Sequence, residues 1–219
     1  MQEVSIRSAN RSFLLPMIIV ALLFFKPAIS WAAVGCTLND PDRDTRRLFP
    51  ESTGYKTTFI TILEKGGEIL ARKLEEKLND SFEPVYETLD VPYAYYQIFK
   101  GKEHIGWVFG VNQKGEYGGL QLILATDLKG EVLNFYYQRI SSPDAKRFRD
   151  KGFLGFFKGL TLRDFEAYDP KTGKINNPAS SLVRIKNPIE RNDIDFKATL
   201  RGLKKNLTLF NEFWKEGTQ

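Results

Sequence analysis

The chain has 219 residues, of which 42% are hydrophobic and 27% are charged. This composition excludes an intrinsically disordered chain, and the length suits one domain with a substantial core rather than two. The net charge is only +5 and basic residues alternate with acidic ones, which argues against nucleic-acid binding. With one cysteine, Cys36, and one histidine, His104, neither an intrachain disulfide nor a zinc site of Cys and His ligands can form.

The N-terminus has the organisation of an export signal. Arg7 and Arg11 precede Phe13–Phe25, a run of thirteen residues without a charge. Thirteen helical residues span about 20 Å, less than the roughly 30 Å of a bilayer's hydrocarbon core, so residues 1–35 are predicted to be a signal peptide. A membrane anchor is the alternative, because the segment could span if Lys26 reached the interface by snorkelling and residues 27–35 joined it. Either reading places the rest of the chain in the cell envelope, on the periplasmic side of the cytoplasmic membrane.

Two processing sites fit this segment. Ser30-Trp31-Ala32 has small residues at the positions that signal peptidase reads, whereas Ala33-Val34-Gly35-Cys36 resembles a bacterial lipobox. The single cysteine of the chain stands where a lipobox cysteine would stand. Cys36 is therefore predicted to be lipidated and to attach the protein to the membrane, and a free thiol near the terminus is the alternative.

Residues 36–54 are polar and rich in turn formers, which predicts an extended leader with a short helical turn around residues 46–49. Residues 55–219 are predicted to form a single α+β domain. Its first strand is expected at residues 55–63, where β-branched and aromatic residues dominate. Leu70, Leu74 and Leu78 then recur at four-residue spacing, which predicts an amphipathic helix over residues 68–79 that follows a break at Gly66-Gly67.

The middle of the domain reads as an antiparallel β-meander. Four apolar runs are separated by short turns that contain glycine, which is typical of hairpins; they cover residues 93–99, 105–112, 120–125 and 132–140. Residues 143–160 are predicted to be helical or looped, and residues 180–185 to form a late strand. A final helix is expected over residues 193–215, because large apolar residues recur there at spacings of three, four and seven. The predicted fold is an antiparallel sheet packed by helices.

Three segments carry a resemblance to a known family. Tyr117-Gly118-Gly119 precedes a hydrophobic strand, Ser142-Pro143 follows the last strand of the meander, and Asp193-Ile194-Asp195-Phe196-Lys197-Ala198-Thr199 opens the last helix. In this order they resemble the bacterial FMN-binding domain family, which includes flavin-bearing subunits of Rnf-type complexes and sodium-translocating quinone reductases. The resemblance covers residues 97–209, about half of the chain.

The match is partial at each motif. The glycine-rich turn is kept, and two adjacent glycines allow backbone to approach a planar ring closely. The loop keeps its proline but lacks the family's Glu and both of its glycines. In the last motif Asp193, Ala198 and Thr199 are kept at the family spacing, while Phe196 and Lys197 replace Ser and Gly. The family's threonine is joined to FMN in many members.

The resemblance implies FMN as cofactor, with covalent attachment at Thr199 as one form of it. It implies a set of cofactor-binding residues, namely Tyr117, Gly118, Gly119, Ser142, Pro143, Asp193, Lys197, Ala198 and Thr199. It also implies electron transfer, with a membrane electron-transport complex or a haem protein as partner. No motif of this sequence supplies an acid or base, so turnover of a substrate is not expected. The alternative is an exported lipoprotein that keeps the fold without flavin and acts as a binding or assembly module.

Overall fold

The computed structural model describes residues 36–83, 86–190 and 193–215, so the predicted signal or anchor at residues 1–35 lies outside the described residues. The fold is α+β. Its helices are α1 (Pro41–Leu48), α2 (Ile62–Leu78), α3 (Ala145–Phe148), α4 (Lys151–Gly155), α5 (Leu162–Phe165) and α6 (Ile194–Phe210), and a π-helical segment, Asn211–Lys215, continues α6. Its strands are β1 (Gly54–Ile60), β2 (Tyr93–Lys100), β3 (Glu103–Gly115), β4 (Gly118–Thr126), β5 (Val132–Arg139), β6 (Tyr168–Asp169) and β7 (Lys174–Ile175).

The main sheet is a five-stranded antiparallel meander in the order β1-β2-β3-β4-β5. Tyr95 pairs with Phe109 and Val108 with Ala125, so the hairpins follow each other along the chain as the short glycine-containing turns predicted. β6 and β7 form a separate two-stranded ribbon. β1 and β5 are therefore the edge strands of the main sheet.

Both faces of the sheet are buried along its central strands β2, β3 and β4, which explains the nearly continuous apolar runs of these strands. In β2, Tyr93 and Tyr95 face the helices α2 and α6, and Ala94 and Tyr96 face the opposite side. The second face is covered by Cys36, Leu38 and the end of α1, where Phe49 is 3% exposed. Because side chains alternate along a strand, those of the central strands pack into two hydrophobic clusters, one on each face, instead of one cluster and a solvent-exposed face.

Helix α6 lies in the centre of the larger cluster. Its residues 198–210 are all buried, because β3 and β4 pack on one side of it and α2 and α5 on the other. The ring of Phe210 stacks on Phe109 with 4.8 Å between centroids and 5° between planes. The predicted apolar stripe is therefore real, but the opposite side of the helix is enclosed as well.

Three segments differ from the sequence-based predictions. Helix α2 begins at Ile62, inside the predicted strand of residues 55–63, and runs through the predicted break, where only Gly67 leaves the helical conformation. The leader contains a full helix, α1, which begins with Pro41 at its first turn and is capped by Asp40, whose carboxylate accepts from Arg43 N at 3.0 Å. The prediction of a late strand at residues 180–185 is wrong, because Ser181–Arg184 forms a 3-10 turn. Ser180 Oγ accepts from Leu182 N and starts this turn, which buries Leu182.

Candidate functional site

The three segments of the predicted flavin site meet at one end of the sheet. The backbone N of Glu116, in the β3–β4 turn, donates to Asp195 Oδ1 in the first turn of α6 at 2.8 Å. A Cβ added at Gly118 would lie 4.0 Å from Ser141 Oγ, in the loop that follows β5. We call this meeting point of residues 115–119, 141–143 and 193–199 the turn–helix junction. Segments that are separated by about 80 residues of sequence are thus neighbours in the fold.

The glycine turn of the junction is partly covered. Gly118 has φ +125°, a conformation that side chains disfavour, so glycine is required there by the turn itself. A Cβ at Gly119 would lie 3.3 Å from the ring of Tyr86, which occupies the space beside this glycine. Tyr117 is about half exposed at the tip of the turn. The two glycines allow a close approach, and in this structure the approaching group beside Gly119 is Tyr86.

The loop after β5 forms its own hydrogen bonds. Ser142 is buried and its Oγ accepts from Asp144 N at 3.2 Å, which turns the chain toward α3. Pro143 is exposed between them. The hydroxyl of Ser142, which was predicted to contact the cofactor, therefore initiates a local turn in this structure.

At the start of α6, the charged residues of the motif pair with each other. Lys197 Nζ lies 2.7 Å from Asp193 Oδ2, and both side chains are about half exposed. The stem of Lys197 packs against Gly173, in the turn between β6 and β7. Asp193 occupies the N-cap position, but its side chain makes no capping hydrogen bond. Lys197 is therefore an ion-paired surface residue in this conformation.

Thr199 and Ala198 lie inside the domain. Thr199 is 0% exposed, and its hydroxyl lies 2.7 Å from both Tyr137 Oη and the carbonyl oxygen of Asp195. Both hydrogen-bonding roles of the hydroxyl are thereby used. A phosphoester at Thr199 would require this turn of α6 to open, because neither a transferase nor a flavin reaches a hydroxyl that is enclosed in this way.

Cys36, the predicted lipidation site, is also buried. It is 2% exposed, bridges to Tyr93 at the sheet and packs against Gly110, where an added Cβ would lie 2.9 Å from its Sγ. Burial raises the pKa of this thiol to about 12, although Lys205 counteracts the shift slightly. A diacylglycerol on Sγ would need the side chain to leave the cluster, so lipidation stays a prediction that requires residues 36–38 to detach.

A cavity of about 700 Å³ opens elsewhere, along the outer edge of β5. Its base is formed by residues 133–137 of the strand. One wall comes from Arg47 and Leu48 of α1, and the other comes from the region of α3 and α4. That second wall consists of Arg149, Lys151, Leu154, Gly155 and Lys158. We call this cavity the β5 cleft. Three further cavities among the described residues have volumes of about 520, 320 and 110 Å³, and none of the nine predicted cofactor-binding residues lines any of these four cavities.

The β5 cleft is cationic. Four basic side chains line it, and the described lining includes no carboxylate. Arg47 is partly neutralised by Asp44 at 3.4 Å, and its guanidinium lies 4.0 Å above the ring of Tyr136. Within the described residues, Arg149, Lys151 and Lys158 have no carboxylate within 4 Å of their charged groups. The nearby Asp150 instead accepts from Gly152 N and Phe153 N and caps α4.

Sequence reasoning missed this cleft because its walls are far apart in the chain. Arg47 belongs to the predicted leader, whereas Lys158 follows α4, more than a hundred residues later. The basic character of residues 146–158 is a local signal for one wall. The other wall becomes visible only when α1 packs across the sheet.

A second group that the sequence did not reveal is a buried ionic cluster on α6. Arg201 Nη1 and Nη2 lie 2.9 and 3.0 Å from the two carboxylate oxygens of Glu87, and Lys205 Nζ bonds the same carboxylate. Arg201 also bonds Gln113 Oε1 at 2.7 Å, and Lys205 bonds the carbonyl oxygen of Asn112 at 2.7 Å. Burial by itself would raise the pKa of Glu87, but Lys205 and Arg201 outweigh it and lower the pKa to about 2. The cluster is internally satisfied and offers no open position to a ligand.

The described residues contain no group of three or more His, Cys, Asp or Glu placed to hold a metal ion. Among the described helices, none combines the length and the hydrophobicity that a membrane span requires. Neither the models of known protein families nor the curated proteins contain a match to this chain.

Proposed function

We propose that the domain is an exported binding module that holds an anionic ligand in the β5 cleft. The observation that carries the proposal is the charge of the cleft. Three of its four basic side chains lack a carboxylate partner among the described residues, and they converge on one concavity. Surface cations are ordinarily interspersed with acids, so a concentration of one sign in a concave site attracts ligands of the opposite sign.

The shape of the cleft supports the same proposal. Low-dielectric walls on both sides of a charged groove focus its field toward the opening. Apolar and aromatic residues of β5 and α4 line the cleft together with basic residues from both walls. A concavity with an apolar lining and a few convergent polar groups is typical of ligand sites.

The proposal is tested by reversing the charge of one wall. The double variant Arg149→Glu with Lys158→Glu is compared with Lys100→Glu with Lys102→Glu, which makes the same charge change at the exposed β2–β3 turn. The probes are FMN, pyrophosphate and oligoglutamate, measured by calorimetry at low salt. We expect at least one probe to bind, with affinity reduced about tenfold or more in the cleft variant and little in the other. The proposal fails if no probe binds or if both variants lose affinity equally.

A second candidate is an FMN-binding protein acting in electron transfer. The observation in its favour is the turn–helix junction, where the three segments that resemble the FMN-binding family are brought together. The residues of the junction do not fit FMN in this conformation, because Thr199 is enclosed, Lys197 is paired with Asp193 and Tyr86 covers Gly119. Flavin binding at this site, and a membrane complex or haem protein as partner, therefore stay predictions.

The absorbance spectrum and intact mass of the purified protein separate the two candidates. A flavin spectrum that persists in Arg149→Glu with Lys158→Glu and is lost in Thr199→Val would favour the junction. Flavin that is lost only in the cleft variant would make FMN the anionic ligand of the β5 cleft. A colourless protein that binds other anions would support the anion-binding module and contradict the FMN-binding candidate.

A further inference from the structure

The β5 cleft follows an edge strand over several consecutive residues. Residues 133–137 form its base, so the groove runs parallel to the strand instead of crossing it. β5 is the last strand of the main sheet, and among the described residues no backbone hydrogen bond joins residues 133–137 to a segment other than β4. A ligand in this groove can therefore meet both charged side chains and the edge backbone of the strand.

The protein's own chain shows that this edge accepts β-type pairing. Val132 N donates to the carbonyl oxygen of Leu160 at 2.8 Å, and Gly159 N donates to the carbonyl oxygen of Val132 at 2.8 Å. This short pairing ends at the first residue of β5. The cleft begins at the next residue, so it continues the line along which the segment after α4 already pairs with the strand.

We propose that the β5 cleft binds an acidic, extended peptide segment of a partner protein, which adds to the sheet as a sixth strand beside β5. This inference rests on the proposed function and specifies the class of its ligand. An added strand satisfies the edge backbone of β5, and this is how extended peptides bind sheets in general. Acidic side chains on alternate positions of the peptide lie about 7 Å apart along one wall. They meet Arg149, Lys151 and Lys158 there.

Charge complementarity distinguishes this occupant from others. A second copy of the chain that paired through β5 would bring its own basic walls against these basic walls. The N-terminal segment of residues 1–35 has three basic residues and one acidic residue, so it carries the same sign as the cleft. A polynucleotide satisfies the cations but not the edge of a strand, which favours the peptide.

The test uses a synthetic peptide of about eight residues that alternates Thr and Glu, because alternate residues of a strand share a face. Its matched control alternates Thr and Gln. Two further versions carry backbone N-methyl groups on the Glu or on the Thr residues, so that each blocks one edge of the peptide. Binding is measured by fluorescence anisotropy. Hydrogen exchange of residues 133–139 reports pairing with β5, and oligothymidylate serves as the polynucleotide probe.

We expect the Thr-Glu peptide to bind and the Thr-Gln peptide to bind at least about tenfold more weakly. At least one N-methylated version is expected to lose about tenfold, and exchange in β5 is expected to slow on binding. If both N-methylated versions bound as tightly as the unmodified Thr-Glu peptide, the inference would be overturned and the cleft would be an anion site without strand pairing. Binding of oligothymidylate alone, abolished in Arg149→Glu with Lys158→Glu, would do the same. Absence of binding by every anion would overturn the proposed function as well.

Discussion

Glu87 holds together two cations that the fold buries. Arg201, Lys205 and Glu87 are each at most 7% exposed, and removal of one partner from such a cluster leaves a charge in a medium that solvates it poorly. The bidentate contact of Arg201 and the bond from Lys205 explain why the pKa of Glu87 is lowered although burial opposes this shift. The carboxylate is therefore a structural group whose ionisation is coupled to folding.

Because the folded pKa of Glu87 is about 2 and its ordinary value is 4.5, its contribution to stability is fully present above about pH 4.5. It is lost as the pH falls through the folded pKa. We expect Glu87→Gln to lower the free energy of unfolding by about 3 kcal/mol at neutral pH. The difference from the wild type should shrink between about pH 4.5 and pH 2. Urea unfolding at several pH values measures this.

Glu68→Gln provides the control for this experiment. Glu68 is 81% exposed and lies 3.7 Å from Arg72, an arrangement that contributes at most a few tenths of a kcal/mol. Its variant should unfold like the wild type at every pH. A pH-independent difference between Glu87→Gln and the wild type would contradict the ionic role of Glu87.

The thiol of Cys36 gives a second prediction at the residue scale. With its pKa raised to about 12 by burial, the thiol is neutral at ordinary pH and enclosed between Tyr93 and Gly110. We expect a disulfide reagent to modify Cys36 in the folded domain only as fast as the domain opens, and rapidly in urea. Fast reaction without urea would show that residues 36–38 detach readily, which is the condition that lipidation of Cys36 requires.

At the scale of elements, the close packing of β3 against its neighbours depends on a glycine. A Cβ at Gly106 would lie 2.6 Å from the carbonyl oxygen of Thr126 and 2.7 Å from the ring of Phe49. The oxygen belongs to the backbone of β4, so it has little freedom to move. Because this glycine has no side chain, the ring of Phe49 can approach β3 closely, which holds the end of α1 against the sheet.

We expect Gly106→Ala to destabilise the domain by about 1–3 kcal/mol, as overpacking of a rigid site does. Gly54→Ala is the matched control, because Gly54 also belongs to a strand of the main sheet and has no atom within 4 Å of an added Cβ. Thermal unfolding of the two variants compares them directly. Equal melting temperatures would mean that Phe49 and β4 adjust without strain.

The elements that the sequence predicted well are those with a strong local pattern. The four hairpin strands and the C-terminal end of α2 are predicted within a few residues, because glycine turns and leucine spacing are local signals, whereas α2 begins before Gly66-Gly67. The central position of α6 was not predictable in this way. Its pattern marks one apolar stripe, and Arg201, Lys204 and Lys205 read as a solvated face. Segments far away in the sequence bury them: Arg201 and Lys205 bond to groups within residues 80–113, and Lys204 donates to the carbonyl oxygen of Tyr168.

The candidate site shows the same limit. The sequence order of the three segments that resemble the FMN-binding family predicted that they would be neighbours, and Glu116 and Asp195 do form a contact. It did not predict that Thr199 would bond Tyr137 or that Tyr86 would cover Gly119, because both partners lie outside the motifs. The β5 cleft was missed for a similar reason, since α1 had been assigned to an extended leader.

At the scale of the whole molecule, the segment before β1 is part of the domain. Residues Ala33–Gln219 form one compact unit, and Cys36, Leu38 and Phe49 cover one face of the sheet. Without them, the apolar side chains of that face would meet water. The predicted boundary between leader and domain therefore does not coincide with a boundary in packing.

Two truncations test this arrangement. A chain that begins at Ala33 is expected to unfold cooperatively, because it keeps the whole unit. A chain that begins at Glu51 lacks α1 and Phe49. Each large apolar side chain contributes about 1.5–3 kcal/mol when buried, so the shorter chain loses several kcal/mol of stability. This loss is comparable with the roughly 5–15 kcal/mol that stabilises a typical domain. The shorter chain should therefore be largely unfolded or aggregated, as circular dichroism and sedimentation would show. If both chains had the same stability, α1 would be an accessory layer that the fold does not need. The wall of the β5 cleft that α1 provides would then not be a fixed part of the fold.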